Sequence, residues 1–235
     1  MNENNSLEEK NRILNVYDEY NSNSTYNNRW ANENIGNQVI YKQRFEYIFR
    51  LLNDSKIKLK DKSVLEIGCA GGNIFPLLKA LGAEERRIIG IDLRPGRIND
   101  AKKLFTKGKF NVMDARKLEF NNNSFDVITT FTLFSSIIDE KIRKQVADEA
   151  FRVLKPSGII LYYDFRYNNP FNRNVLKVDY KDINNLFPNM EKNLKLVTLL
   201  PPFTRKIGVL ANKIYPILSK IKFLNTHYIG LFIKE

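Results

Sequence analysis

The stretch Val64-Leu65-Glu66-Ile67-Gly68-Cys69-Ala70-Gly71-Gly72 constrains this chain more than any other. Its apolar residues end around a carboxylate, a turn of small residues follows, and Asn73-Ile74-Phe75-Pro76-Leu77-Leu78 opens a helix. Strand, tight turn and helix N-terminus, in that order, begin a nucleotide-binding βαβ unit. Small residues let a ligand approach the backbone, and the free N–H groups of the turn can hold a carboxylate or phosphate. The spacing argues against a dinucleotide, because G-x-G-x-x-G counted from Gly68 meets Ala70 and Asn73. The chain matches acidic-x-G-x-G-x-G instead, as Glu66, Gly68, Ala70 and Gly72, with alanine in the middle place. A carboxylate just before the turn would repel a pyrophosphate but suits a cationic amino group.

Four further signals follow at regular intervals. Ile88-Ile89-Gly90-Ile91-Asp92 reads as a buried strand ending in an acid, followed by Leu93; Asn111-Val112-Met113-Asp114-Ala115 reads as a third strand with an acid at its tip. Residues 124–131 are a fourth strand, and Val153-Leu154-Lys155-Pro156-Ser157-Gly158-Ile159-Ile160-Leu161 supplies a helix end, a Pro-x-Gly turn and a fifth strand. Together these signals span residues 63–165 and resemble the class I S-adenosylmethionine-dependent methyltransferases. The resemblance implies a Rossmann-like α/β fold, with a seven-stranded, mostly parallel sheet, an antiparallel last strand and helices on both faces. It implies S-adenosylmethionine as cofactor and S-adenosylhomocysteine as product. Asp92 would accept both ribose hydroxyls, since an ionised carboxylate offers only acceptors. Leu93 would lie on the adenine face, and Asp114 would accept the adenine amine with the Ala115 N–H as a ring donor. Gly68 and Gly72 would bring the backbone to the methionine part, with Glu66, Ala70 and Phe131 completing the set. Taken singly, Asp92 and Asp114 also read as ordinary strand-end acids or helix caps. Asp126, which precedes the fourth strand, reads as structural.

Three regions follow along the chain. Residues 1–62 form an N-terminal helical extension, in which Ser6-x-x-Glu9 is a capping-box pattern and Ile13, Val16, Tyr17 and Tyr20 fall at helical spacing. Residues 37–52 read as its second helix. Such extensions serve as lids in many small-molecule methyltransferases, which makes Tyr17, Tyr26, Trp30 and Arg44 candidates to cover the methionine end or line the acceptor pocket. The same aromatics could equally staple the extension to the core. Residues 63–235 form the methyltransferase domain, with Leu194–Leu200 a sixth strand and Thr226–Ile233 a seventh. Between those strands residues 201–225 are an insertion, with Ile207, Leu210, Ile214, Leu218 and Ile221 at roughly helical intervals among Arg205, Lys206, Lys213, Lys220 and Lys222. A basic amphipathic segment of this kind could cap the acceptor site, lie on an anionic membrane surface or simply pack on the core.

The segment from Tyr163 to Pro170, taken with Thr226-His227-Tyr228, resembles a narrower group of bacterial methyltransferases of surface-polysaccharide and other glycan pathways. That points to O-methylation of a small anionic or sugar-derived acceptor. Methyl transfer needs in-line attack, so positioning supplies much of the rate. A neutral hydroxyl also benefits from a base. His227 is the only histidine, its ordinary pKa suits that task, and the start of an antiparallel last strand falls at the cofactor end of the sheet. Asp164 is the competing base, while Tyr163 and Arg166 are placed to orient the acceptor. An already anionic nucleophile would need neither base. The net charge of +12 favours acidic partners, from sugar phosphates to anionic lipid.

The rival readings are an RNA or other small-metabolite methyltransferase and a non-catalytic cofactor-binding scaffold. Nucleic acid is not expected as a partner, because Thr130-Phe131-Thr132-Leu133-Phe134 stands where an Asn-Pro-Pro-Tyr box would be. There is also no Pro-Cys nucleophile and no recognisable RNA-binding appendage. One cysteine and one histidine make no metal site. The lone Cys69 reads as a buried space-filler and permits no internal disulfide. Without a signal-peptide pattern, the expected compartment is the cytoplasm.

Overall fold

A computed structural model describes residues 3–22, 31, 33–170 and 172–235. Its centre is a seven-stranded sheet in the order β3-β2-β1-β4-β5-β7-β6. The strands are β1 (Val64–Ile67), β2 (Ile88–Asp92), β3 (Lys109–Val112), β4 (Phe125–Phe131), β5 (Leu154–Phe165), β6 (Met190–Leu199) and β7 (Asn225–Lys234). The first five run parallel to one another, and β7 lies antiparallel between β5 and β6. Every residue of β1 is buried, as a central strand covered on both faces requires. The helices are α1 (Glu3–Ser22), α2 (Ile35–Asp54), α3 (Phe75–Ala80), α4 (Pro95–Leu104), α5 (Glu140–Val153), α6 (Tyr180–Leu186), α7 (Pro201–Lys206) and α8 (Ala211–Leu218).

Two apolar clusters sandwich the sheet. One is built on Ile67, Ile128, Phe134, Tyr162 and Phe232 with α5 and α6; the other on Val64, Phe75, Leu161 and Ile229 with α2, α3 and α4. Asp126 fastens the entry of the sheet. Its carboxylate accepts the Ser63 N–H at 2.9 Å, the Ser63 hydroxyl at 2.6 Å and the Lys155 ammonium at 3.0 Å. Burial pushes the carboxyl up, but these donors outweigh it and hold the pKa down to about 2. Its work is structural, tying the start of β1 to β4 and β5.

The insertion between β6 and β7 is seated firmly on α2. Tyr215 is buried, and its hydroxyl donates to Gln43 Oε1 at 2.6 Å while accepting from Leu199 N at 3.3 Å. The Thr204 hydroxyl donates to Leu199 O at 2.6 Å. At Gly36 the α2 backbone crosses α7 so closely that a Cβ would stand 2.3 Å from Thr204 O, so only glycine fits.

Several boundaries differ from the sequence reading for identifiable reasons. α1 runs from Glu3 and so already contains Ser6, and Glu9 pairs with Arg12 and accepts the Ile138 N–H. β3 ends at Val112, so Asp114 sits on the loop just beyond it. The expected Pro-x-Gly turn is an irregularity within β5, whose pairing with β4 jumps from Phe125↔Leu154 to Val127↔Ile159.

Candidate cofactor and acceptor site

A cavity of about 1590 Å³ opens at the carboxyl ends of the parallel strands. Small-ligand pockets commonly hold about 300–1,000 Å³, so this one has room for a cofactor and an acceptor together. Its floor is the turn after β1. Gly68 N and Cys69 N both donate to Ile91 O at 2.9 Å, which ties the turn to β2. Gly72 sits at φ +81°, and a Cβ there would lie 2.7 Å from the Phe105 ring, so the helix entry depends on glycine. Ala70, in the middle place of the pattern, also has positive φ at 48°. The Asp92 carboxylate accepts its N–H at 2.8 Å and helps hold that conformation.

All nine residues expected to touch cofactor line this cavity: Glu66, Gly68, Ala70, Gly72, Asp92, Leu93, Asp114, Ala115 and Phe131. Glu66 is 2% exposed, and its Oε2 is buried without a hydrogen-bond partner. Burial, and then the neighbouring Asp92, push its pKa well above the usual carboxylate range. A buried carboxylate oxygen lacking a donor fits an incoming ammonium group. Cys69, 1% exposed, fills space against Gly90, and burial raises its thiol pKa.

Two arginines escaped the sequence reading. Arg94 donates its N–H and Nε to Asp92 Oδ1, each at 3.0 Å, and its Nη2 to Oδ2 at 3.3 Å. Arg116 grips Asp114 in the same way, with Nη2 at 2.6 Å, and against the upward pull of burial it keeps that carboxyl low. Ribose hydroxyls would therefore take over acceptors that Arg94 occupies. An acid followed two residues later by arginine was the available signal. The Arg94 guanidinium lies 4.3 Å from the Tyr17 ring centre, below α1. α1 is itself fixed by Arg12 on Ser136 O at 2.6 Å and the Tyr17 hydroxyl against Ser136 Oγ at 2.8 Å.

The other half of the cavity is walled by aromatic rings. Tyr163 and Phe165 project from β5, and His227 from β7 lies between them, with centroids at 4.7 and 4.1 Å. Arg44 reaches in from α2 over Tyr41 at 4.7 Å and Tyr163 at 5.1 Å. Its Nε is buried without a hydrogen-bond partner, and no ion pair involves it among the described residues. Arg205 of α7 lines the same wall.

His227 is 1% exposed, and burial followed by the Arg44 charge lowers its pKa to about 3. It is neutral at ordinary pH, unlike the free histidine that the sequence suggested. The Thr226 hydroxyl spends its proton on Thr198 O at 2.9 Å, so it accepts from His227 Nδ1 at 2.8 Å. That assigns the ring proton to Nδ1 and leaves Nε2 as the acceptor.

Asp164 and Arg166 are not brought to this site. Side chains alternate along β5, and with Tyr163 and Phe165 facing the cavity, Asp164 points to the opposite side. There it is fully buried and accepts Ser135 N at 3.1 Å and Phe165 N at 2.8 Å. Arg166 packs its guanidinium on Tyr167 and Tyr228 and donates to Lys222 O. Tyr26 and Trp30 lie outside the described residues.

Burial raises the Asp164 pKa from 3.8 to about 6, the Ser135 and Phe165 donors offsetting part of the effect. A raised folded-state pKa means stability that is present at low pH and lost as the pH climbs through that value. Relative to Asp164→Asn, the wild type should lose about 2–2.5 kcal/mol of unfolding free energy between about pH 4 and pH 7. Urea titrations across that range read this directly, and parallel pH profiles for the two proteins would contradict it.

Residues 64–158 match the family model described as "Methyltransferase domain". The chain is similar to tRNA N(3)-methylcytidine methyltransferase Mettl2 of Drosophila melanogaster, 31% identical over 134 residues, covering 53% of this chain and 41% of that protein. It is also similar to demethylmenaquinone methyltransferase of Thermotoga maritima, 33% identical over 102 residues and covering 43% of each. The chain thus spans less than half the length of these two curated relatives. A crystal structure of a SAM-dependent methyltransferase from Methanosarcina mazei shares the fold, with a TM-score of 0.58 at 18% identity, covering 78% of this chain and 96% of that one.

Proposed function

We propose that this chain is a class I S-adenosylmethionine-dependent methyltransferase, a reading supported by its fold and by the match over residues 64–158, and that it methylates an oxygen of a small anionic acceptor. The cofactor is S-adenosylmethionine, and the donor set fits it: an unpartnered buried Glu66 oxygen for the ammonium, Asp92 for the ribose and Asp114 for the adenine amine. Bound there, it supplies an electrophilic methyl on a sulfonium, which needs chiefly an aligned nucleophile.

The observation that carries the acceptor class is Arg44. A guanidinium held on two tyrosine rings, with a buried and unsatisfied N–H and no ion-pair partner among the described residues, calls for an anion from outside. The aromatic wall of Phe131, Tyr163 and Phe165 would cover the flat or apolar part of the acceptor and exclude water. With Asp164 turned away, His227 is the group placed to take a hydrogen bond from an acceptor hydroxyl. An imidazole with a pKa near 3 is a weak base, so the geometry favours an oxygen that is acidic or already ionised. Sugar phosphates and other acidic glycan precursors fit that description, as do phenols and carboxylic acids. Neither relative named above bears a glycan-pathway name, so the sugar assignment rests on the sequence resemblance alone.

Removing His227 tests the arrangement. His227→Ala should lower kcat by about tenfold or more while leaving cofactor affinity unchanged. Because the wild-type ring stays neutral down to about pH 3, kcat at saturation should show no histidine ionisation between about pH 5 and pH 8. An inflection near pH 6.5 that disappears in His227→Ala would remove this reading of the site.

A second reading has one specific observation behind it, the likeness to a protein named for tRNA methylation. Radiolabelled methyl transfer to bulk tRNA, run beside a panel of acidic small molecules, separates the two. Incorporation into tRNA that Arg44→Met leaves unchanged would favour RNA. Incorporation into an acidic small molecule that falls in Arg44→Met would support the reading given first.

A further inference from the structure

The inner side of the insertion is accounted for by α2, but its outer side is not. Phe223 is 70% exposed, Val209 69%, Ile217 66% and Leu210 53%, with Phe203 and Ile221 also exposed. Leu210, Lys213, Ile217 and Ile221 recur at three- to four-residue intervals, so they lie along one face of α8 and its flanks. Within residues 201–225 there are five cations, Arg205, Lys206, Lys213, Lys220 and Lys222, and no acid. Monomeric soluble proteins rarely leave so many large apolar side chains together in water, and such patches mark interaction surfaces. The patch is not a core segment out of place, because Ala211, Tyr215 and Thr204 of the same segment are already buried, with Tyr215 hydrogen-bonded to α2 and Thr204 to β6.

We propose that this face docks on an anionic membrane surface, the apolar side chains entering the headgroup boundary and the lysines pairing with lipid phosphates. The combination decides the occupant. Exposed Phe, Ile, Leu and Val have no use against the phosphates of RNA, and a segment whose charges are all positive would repel its own copy in a symmetric pair. An interfacial segment needs both an apolar face and a basic rim, and this segment has both. No described helix is long and apolar enough to cross a membrane, so the contact is a peripheral one. Leu200, Pro201, Pro202 and Arg205 at the root of the insertion also line the cavity, which sets the docking face beside the acceptor end.

Co-sedimentation of the full chain with vesicles tests this, and it needs neither cofactor nor acceptor, so its outcome is separate from that of the proposed function. The chain should bind vesicles of equal parts phosphatidylglycerol and phosphatidylcholine, bind pure phosphatidylcholine much more weakly, and be released by high salt. The double variant Ile217→Asp/Phe223→Asp, changed only at exposed positions, should lose about tenfold or more in vesicle affinity while keeping wild-type thermal stability. Failure of the wild type to bind, or equal binding by the folded double variant, would overturn the proposal. So would a concentration-dependent dimer that the double variant abolishes without vesicle binding, or RNA binding that needs the same two side chains.

Discussion

Asp92→Ala should bind S-adenosylhomocysteine at least about a hundredfold more weakly than the wild type while keeping its fold. Two hydroxyl hydrogen bonds to a 7%-exposed carboxylate are at stake. Hydrogen bonds to charged groups contribute about 1.5–3 kcal/mol each, and about 1.4 kcal/mol is a factor of ten in affinity, which sets the lower bound. The substitution also frees the Ala70 N–H and the Arg94 guanidinium, both of which Asp92 now satisfies. Some loss of stability is therefore expected, on the order of 1–2 kcal/mol, with the sheet itself intact because β2 keeps its ladder to β1 and β3. Asp92→Asn keeps the shape but offers fewer acceptors, and it should fall between the two. Equilibrium dialysis with labelled ligand measures all three. Unchanged affinity in the alanine variant would remove the ribose assignment.

Arg44→Met should cut kcat/KM for an anionic acceptor by about a hundredfold with little change in cofactor affinity. Methionine keeps an apolar stem against Tyr41 and Tyr163 and removes only the charge and its donors. Truncating one member of a buried, hydrogen-bonded charge pair costs about 2–5 kcal/mol, so a hundredfold, about 2.7 kcal/mol, lies in the lower part of that range. Arg44→Lys should recover only part of the loss, since an ammonium lacks the planar fork that meets a carboxylate or phosphate with two bonds. Arg44→Met, which removes the charge, should also relieve part of the downward push on His227, because Arg44 is the second cause of that shift after burial. A variant that handles every acceptor as the wild type does would show that Arg44 is only a packing residue.

Much of the fold was legible because its signals are local. A fully buried apolar run, a small-residue turn and acids at strand tips at known intervals can each be read without tertiary information, and they placed Glu66, Asp92 and Asp114 in one cavity. The acceptor half was harder, and Asp164 shows why. Position in a strand near the right end of the sheet made it a candidate, but a period of two puts neighbours on opposite faces. Choosing Tyr163 as a wall residue already excluded Asp164, so that correction was available from the sequence. The depressed pKa of His227 was not available, since it depends on burial between Tyr163 and Phe165 and on Arg44 arriving from a helix far away in the chain. Arg94 and Arg116 were invisible for another reason: charged residues after strand-end acids read as ordinary surface until both are seen curling back onto the carboxylates. The insertion was recognised as basic and amphipathic, yet which face stays wet depends on the fit of Tyr215 and Gly36 between α2 and the α7–α8 segment.

The most direct test of the account is calorimetric titration of the full chain with S-adenosylmethionine and S-adenosylhomocysteine, with NAD and ATP as controls. The account predicts one saturable site for the first two and no heat of binding for the controls. Binding of NAD or ATP at the same turn, or no binding of either sulfur-containing ligand, would contradict it.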